Sequence, residues 1–145
     1  MGKEVQKMKI SARNQLKGTV KNINEGAVNG IVTLEIAGGN EISATISMSS
    51  IKELGLEAGK EAYAIIKSTE VMIADGAQKL SARNQLAGRV VGVEEGAVNG
   101  IVKVEIAPDA VVSSTISMTA IKELKVAVGK DVTAVAKATS VMIGI

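Results

Sequence analysis

Val32, Leu34 and Ile36 alternate with Thr33 and Glu35, and Ile42, Ala44, Ile46 and Met48 alternate with Ser43, Thr45 and Ser47. A period of two sends successive side chains to opposite faces, so both stretches are predicted as strands with one face in a core. Val102, Val104 and Ile106 repeat the first pattern. Glu61 to Lys67 is a further β-rich run, and Glu70 to Ile73 is expected to close the same sheet. The one helix predicted per unit is short, about Ser50 to Leu54. Ser50-Ile51-Lys52-Glu53 fits a capping box, in which the Ser oxygen and the Glu carboxylate satisfy free amides of the first turn. Ala120 breaks that box at the matching later position and leaves Thr119 as the cap. Gly38-Gly39-Asn40 reads as a hairpin turn, replaced later by Pro108-Asp109-Ala110.

These patterns occur twice because the chain is an internal duplication. Ser11-Ala12-Arg13-Asn14-Gln15-Leu16 recurs seventy residues later as Ser81 to Leu86, and the register then holds without a gap. Glu25 to Val32 recurs as Glu95 to Val102, Ile51 to Leu54 as Ile121 to Leu124, and Val71 to Ile73 as Val141 to Ile143. The two units run over residues 9–75 and 80–145, joined by a short polar linker at about Asp75 to Lys79. A unit of this size has a marginal core unless it is stapled or associates. There is no Cys for a staple, so association is expected, unit against unit and chain against chain. Short strands with one helix between the third and fourth predict an all-β fold, two tandem OB-like five-stranded β-barrels each with one short α-helix.

Composition narrows the chemistry. The 145 residues include no Cys, His, Trp or Phe and one Tyr (Tyr63), against 15 Gly and 46 % apolar residues. Thiolate and imidazole zinc sites and Ser-His or Cys-His nucleophile pairs are therefore excluded. So, nearly, are stacking platforms for single-stranded nucleic acid. The net charge of +2 sits on Lys3, Lys7 and Lys9 with Glu4, and on Lys79; residues 11–75 carry six basic and eight acidic side chains, and residues 81–145 seven and six. That is no phosphate-backbone footprint. No apolar run reaches the ~20 residues that span a bilayer, and MGKEVQKMKI lacks a signal-peptide core. A soluble cytoplasmic protein is expected, with neither nucleic acid nor membrane as partner. The acids, such as Glu35 and Glu105, fall on solvent-facing strand positions, and no catalytic group emerges. The chain is expected not to be an enzyme.

What remains is an inventory of donors, which suits a small oxyanion better than a metal cation. Three places stand out. Ser-x-Arg at the head of each unit puts a hydroxyl and a guanidinium fork on one face of a strand. Ser47, Ser49 and Ser50 gather at the helix start, with Ser117 and Thr119 in the second unit. Glu25-Gly26-Ala27-Val28-Asn29-Gly30 and its repeat have glycines that let amides point outward, as in an anion-binding nest. Lys67 and Lys137 close an apolar strand and supply positive charge. Taken alone, each has a plainer reading as a surface arginine, a helix cap, a hairpin and a solvated strand end.

Together, the Ser-Ala-Arg-Asn opening, the Glu-Gly-Ala-Val-Asn hairpin, the Ser cluster and the closing Lys-[Ser/Ala]-Thr-x-Val-Met-Ile resemble the Mop domain. Their tandem order is similar to that of the di-Mop molbindins, cytoplasmic molybdate-binding proteins. The resemblance covers nearly the whole chain and leaves out Met1 to Lys7. It implies a homo-oligomer, a trimer packing six barrels, with oxyanion sites between barrels and on the threefold axis. One class would use Ser11 and Arg13 of one barrel with Ser47, Ser50, Lys67 and Ser68 of a neighbour. Ser81, Arg83, Ser117, Lys137 and Ala138 are the second-unit counterparts, with Ala120 and Ala138 standing where Ser50 and Ser68 carry hydroxyls. The axial class would use Ala27, Val28 and Asn29, and at the other end Ala97, Val98 and Asn99.

The implied ligand is molybdate, with tungstate close behind; no cofactor and no directly coordinated metal cation is implied. Molybdate is a tetrahedral dianion that only accepts hydrogen bonds, so neutral donors with a few cations match it. Two other functions are open to the same sequence: an anion-sensing regulatory oligomer, and an OB-type nucleic-acid module, which would want the aromatic faces and basic groove this chain lacks.

Overall fold

The computed structural model describes residues 9–76 and 79–145. The lysines of the amino-terminal charge excess at positions 3 and 7, and linker positions 77 and 78, lie outside the described residues. In the first repeat the strands are β1 (Asn14–Asn24), β2 (Asn29–Glu35), β3 (Glu41–Ser47), β4 (Glu61–Ile66) and β5 (Met72–Ala74), with helix α1 (Met48–Glu53) after β3. The second repeat follows with β6 (Asn84–Glu94), β7 (Asn99–Ala107), β8 (Ala110–Ser117), helix α2 (Met118–Glu123), β9 (Asp131–Ala136) and β10 (Met142–Gly144). Single 3-10 turns at Ser68–Glu70 and Ala138–Ser140 precede the last strand of each repeat.

Two five-stranded antiparallel sheets result, ordered β10-β4-β1-β2-β3 and β5-β9-β6-β7-β8. Each takes its edge strand from the other repeat. Met142 pairs with Ile65 and Ile143 with Ala64, while Met72 pairs with Val135 and Ile73 with Ala134. β10 then packs beside β3, and β5 beside β8, which curls each sheet into an OB-like barrel. The expectation that the run ending at Ile73 closes its own sheet is thus corrected. Period-two alternation fixes which face is buried and not which edge a strand joins. The Ser68–Glu70 turn carries the chain off β4 and onto β8, burying Ser68 and Val71 there.

The alternation read from the sequence is the core. Val32, Leu34, Ile42 and Ala44 are fully buried, as are Val102, Val104 and Val112. Each such Val, Leu or Ile side chain contributes about 1.5–3 kcal/mol. One cluster runs across the duplication, joining Leu16, Val20 and Ile66 to Leu86, Val112, Ala134, Ala136 and Val141. The two repeats therefore share a core as well as strands. Where β1 crosses β2, a Cβ on Gly18 would lie 2.5 Å from the Glu35 carbonyl oxygen, and one on Gly88 would lie 2.4 Å from that of Glu105. Only glycine fits that approach.

Candidate functional site

The Ser-Ala-Arg-Asn heads do not begin the strands. Ser11 to Arg13 form a bend and β1 starts at Asn14; the second repeat starts likewise at Asn84. The shared face expected for Ser11 and Arg13 survives for another reason. Ala12 turns inward, leaving the residues on either side exposed. Asn14, 2 % exposed, then fixes the segment to the other repeat. Its Nδ2 donates to the Ser113 carbonyl (2.8 Å) and its Oδ1 accepts the Ser113 amide (2.7 Å). Asn84 makes the same pair with Ser43, at 2.9 and 2.7 Å. The exposed Ser and Arg are therefore held at a seam between repeats.

At one seam a cleft of about 750 Å³ is lined by Ser81, Arg83, Lys137 and Ala138 together with Thr45 and Asp75. Four of the residues picked from the sequence thus share one space. Its charge is lopsided. Asp75 is paired with Lys130 at 3.0 Å, whereas Arg83 and Lys137 form no salt bridge among the described residues. Two cationic groups and the hydroxyls of Thr45, Ser81 and Thr139 facing a common volume can hold an anion by charge-assisted hydrogen bonds. Among the described residues no group of three His, Cys, Asp or Glu gathers as a cation site would require. In the first repeat Ser11, Arg13 and Lys67 are exposed at the corresponding positions. Ser68 is buried there, with Oγ 2.8 Å from Thr115 Oγ1 across the seam.

The helix-start serines lie elsewhere. Ser47, Ser50 and Ser117 do not line this cleft. The expected capping box is also displaced: helix α1 begins at Met48, and the cap is Ser47, whose Oγ accepts the Ser50 amide at 3.0 Å. Ser117, and not Thr119, caps α2 by accepting the Ala120 amide at 3.0 Å. The helix springs directly from the strand end, so the last strand residue supplies the cap. The loss of a hydroxyl at Ala120 leaves it intact.

The Ala27-Val28-Asn29 and Ala97-Val98-Asn99 tips are exposed, with Val28 at 73 % and Val98 at 74 %. Their glycines do not form the nest expected. None of Gly26, Gly30, Gly96 and Gly100 has a positive φ. They are small because neighbours are close: a Cβ on Gly30 would lie 2.7 Å from Ile51 Cδ1, and one on Gly26 would lie 2.4 Å from the Asn29 carbonyl oxygen. The Val28 and Val98 carbonyls accept the Met48 and Met118 amides at 2.8 Å, tying each tip to a helix start. Beside the second tip, Lys103 hydrogen-bonds Glu94 (2.9 Å) and, with its charge, holds that carboxyl below the usual range; the Arg13 charge adds a smaller pull.

Sequence reading missed Thr45, Thr115, Asn14 and Asn84. The signal for the asparagines was present, since Asn14 falls on the inward register of Ala12 and Leu16, where a polar side chain needs a partner. Thr45 had no such mark, because its strand neighbours Ser43 and Ser47 are equally polar.

The TOBE domain model matches this chain twice, over residues 10–73 and 80–143. A probable molybdenum-pterin-binding protein of Haemophilus influenzae is 64 % identical over 66 residues, which is 46 % of this chain and 96 % of that protein. The molybdenum transport protein ModE of Herbaspirillum seropedicae is 42 % identical over 140 residues, covering 95 % of this chain and 52 % of ModE. This chain thus spans about half the length of the ModE relative, while the shorter relative matches a stretch the size of one repeat. Among solved structures, the cytoplasmic molybdate-binding protein ModG with molybdate bound superposes with a TM-score of 0.92 at 39 % identity, over 95 % of this chain and 99 % of ModG. Two matches to one domain model, in the order and register of the repeats, place the chain in the TOBE-domain family as a tandem duplicate of the di-Mop kind.

Proposed function

We propose that this protein binds molybdate at seams between its barrels, in the cytoplasm, as a homotrimer that stores and buffers the ion. The observation that carries the reading is the cleft in which Arg83 and Lys137, free of salt bridges among the described residues, face Ser81 and Thr45. The likeness to ModG along nearly the whole of both chains supports molybdate as the guest. Hydrogen bonds to a charged group contribute about 1.5–3 kcal/mol each. Four or five offset association costs of several kcal/mol and reach the roughly −8 kcal/mol of micromolar binding. The set proposed is Ser81, Arg83, Ser117, Lys137 and the backbone at Ala138, with Ser11, Arg13, Ser47, Ser50, Lys67 and Ser68 as counterparts. Ala27 to Asn29 and Ala97 to Asn99 would form the axial sites. The exposed Val28 and Val98 tips leave these backbone segments open to a neighbouring chain.

The protein works here as a binder and not as a catalyst: every group assigned is a donor or a fixed charge, and none is a nucleophile or a titrating acid–base pair. Tungstate, nearly identical in size and charge, competes on equal terms, while sulfate is smaller and leaves donors short of their acceptors. Calorimetric titration with sodium molybdate, tungstate and sulfate tests this, with native mass measurement giving subunits and anions together. Strong heats with the first two and weak heat with sulfate are expected. A lone chain indifferent to molybdate would overturn the reading.

A further inference from the structure

Aligned at the seventy-residue offset, the repeats differ in a correlated way where they meet. At the seam between the Ser68–Glu70 turn and β8, Ser68 Oγ lies 2.8 Å from Thr115 Oγ1, and Ser114 Oγ donates to the Val71 carbonyl at 2.5 Å. At the other seam the matching positions hold Ala138 with Thr45, and Ala44 with Val141. There Ala138 presents a methyl group opposite Thr45, and the other hydroxyls of the cleft, Ser81 and Thr139, have counterparts in Ser11 and Thr69 at the first seam. The helix starts differ in the same sense: Ser47 Oγ donates to Ser50 Oγ at 2.9 Å, a pairing that Ala120 removes from the second repeat.

We propose that the two inter-barrel anion sites are unequal, and that the Ser68–Thr115 hydroxyl pair makes the site on its own seam the tighter. The inference rests on the oxyanion-binding reading above. Each hydroxyl carries one proton. In the Ser68–Thr115 pair one proton bridges the two oxygens and the other is left for a guest, so the pair offers one free donor, as Thr45 does alone. The count is equal and the quality is not. A hydroxyl that already accepts a hydrogen bond is polarised, and its own proton is the stronger donor. Its rotor is also restrained before the anion arrives, so less freedom is lost on binding. Thr45 gains neither advantage, and the Ala138 methyl is apolar surface against which a dianion makes no hydrogen bond. Arg13 and Lys67 have exact counterparts in Arg83 and Lys137, so the assigned cations are matched, and Asp75, which lines the second cleft, is paired with Lys130; the hydroxyls are what the two sites do not share.

The test is calorimetric titration of the full chain with sodium molybdate, comparing the unaltered protein with Ser68→Ala, Thr115→Val and Ala138→Ser. The unaltered protein is expected to show two inter-barrel classes of equal number, separated by about fivefold to tenfold in Kd. Ser68→Ala should weaken the tight class to the level of the other without changing the number of ions bound, and Thr115→Val, which leaves Ser68 in place, should do the same. Ala138→Ser should tighten the weak class by a similar factor. The hairpin-tip sites are untouched by all three changes and form a constant background. Molybdate binding that is indifferent to these substitutions overturns the inference and leaves the binding reading standing. Absence of binding to the unaltered protein overturns both. Circular dichroism of each variant separates lost affinity from lost fold.

Discussion

Asn14 hydrogen-bonds both the carbonyl and the amide of Ser113, ninety-nine residues away, so that one side chain mimics a strand partner for the other repeat. Asn84 does the same for Ser43. Both asparagines are buried, and removing either leaves a backbone donor and acceptor without partners. A buried polar group left unsatisfied costs about 1–3 kcal/mol. Asn14→Ala and Asn84→Ala are therefore each expected to destabilise the protein by about 2–4 kcal/mol in urea unfolding. A loss below 1 kcal/mol would show that the clasp is dispensable.

The exchanged strands make a prediction about the isolated repeat. A fragment of residues 9–76 keeps β1 to β5 but has no β10 to lay beside β4, and its own β5 is directed at an absent β9. Two fragments can supply each other's edges, and an unpaired edge invites this. The fragment is expected to run as a dimer or a multiple of it by native mass measurement. A folded monomer with a complete five-stranded sheet would contradict the exchange.

These two results mark where the sequence was legible. The inward positions Val32, Leu34, Ile42 and Ala44 were read correctly because alternation reports burial directly. The destination of Met72–Ala74 was not, because a repeat and its copy present the same edge and the pattern cannot say which is taken. Ser81, Arg83 and Lys137 were found through residue chemistry and recurrence, and they do share a cleft. Thr45 was missed because it enters from the other repeat, a consequence of the exchange. The helix cap was misplaced by three residues because Ser47, Ser49 and Ser50 all satisfy the same preference, and only the strand end decides among them.

Lys125 has φ of +53°, where its counterpart Gly55 has +62°. This left-handed region costs a residue with a Cβ roughly 1–2 kcal/mol, partly offset because glycine loses more chain entropy on folding. Lys125→Gly is expected to stabilise the protein by about 0.5–1 kcal/mol, and Gly55→Lys to destabilise it by a similar amount. Paired thermal melts check both signs.

Glu94 makes the stability depend on acid. Its carboxyl is held below the ordinary range by the hydrogen bond and charge of Lys103. A folded-state value below the unfolded one means that the unfolded chain binds the proton more readily. The contribution is thus fully present above the unfolded value and is lost as pH falls through the folded one. Glu94→Gln should lower the melting temperature near neutrality, and the two melting curves should converge in acid. Curves that stay parallel down to pH 3 would remove Glu94 from the account.

Anion binding should behave differently from stability. The chain has no His, and free lysine and arginine side chains titrate well above neutrality. Molybdate itself carries no proton between about pH 6 and 8. With no imidazole to change charge in that interval, affinity is expected to vary by less than tenfold across it. The cations should matter strongly at any pH within it. Losing one charge-assisted hydrogen bond costs about 1.5–3 kcal/mol, or roughly tenfold to a hundredfold. Arg83→Ala and Lys137→Ala should each show such a loss on sites at their own seam, with the first-repeat sites unaffected. Lys137→Arg keeps the charge but replaces a compact ammonium with a planar fork, and should recover only part of the affinity. Salt separates the two contributions: raising ionic strength weakens long-range attraction but leaves short hydrogen bonds in a shielded cleft. The ratio of Lys137→Ala to unaltered Kd should therefore change little between 50 and 300 mM salt, whereas a purely surface attraction would see it collapse towards one.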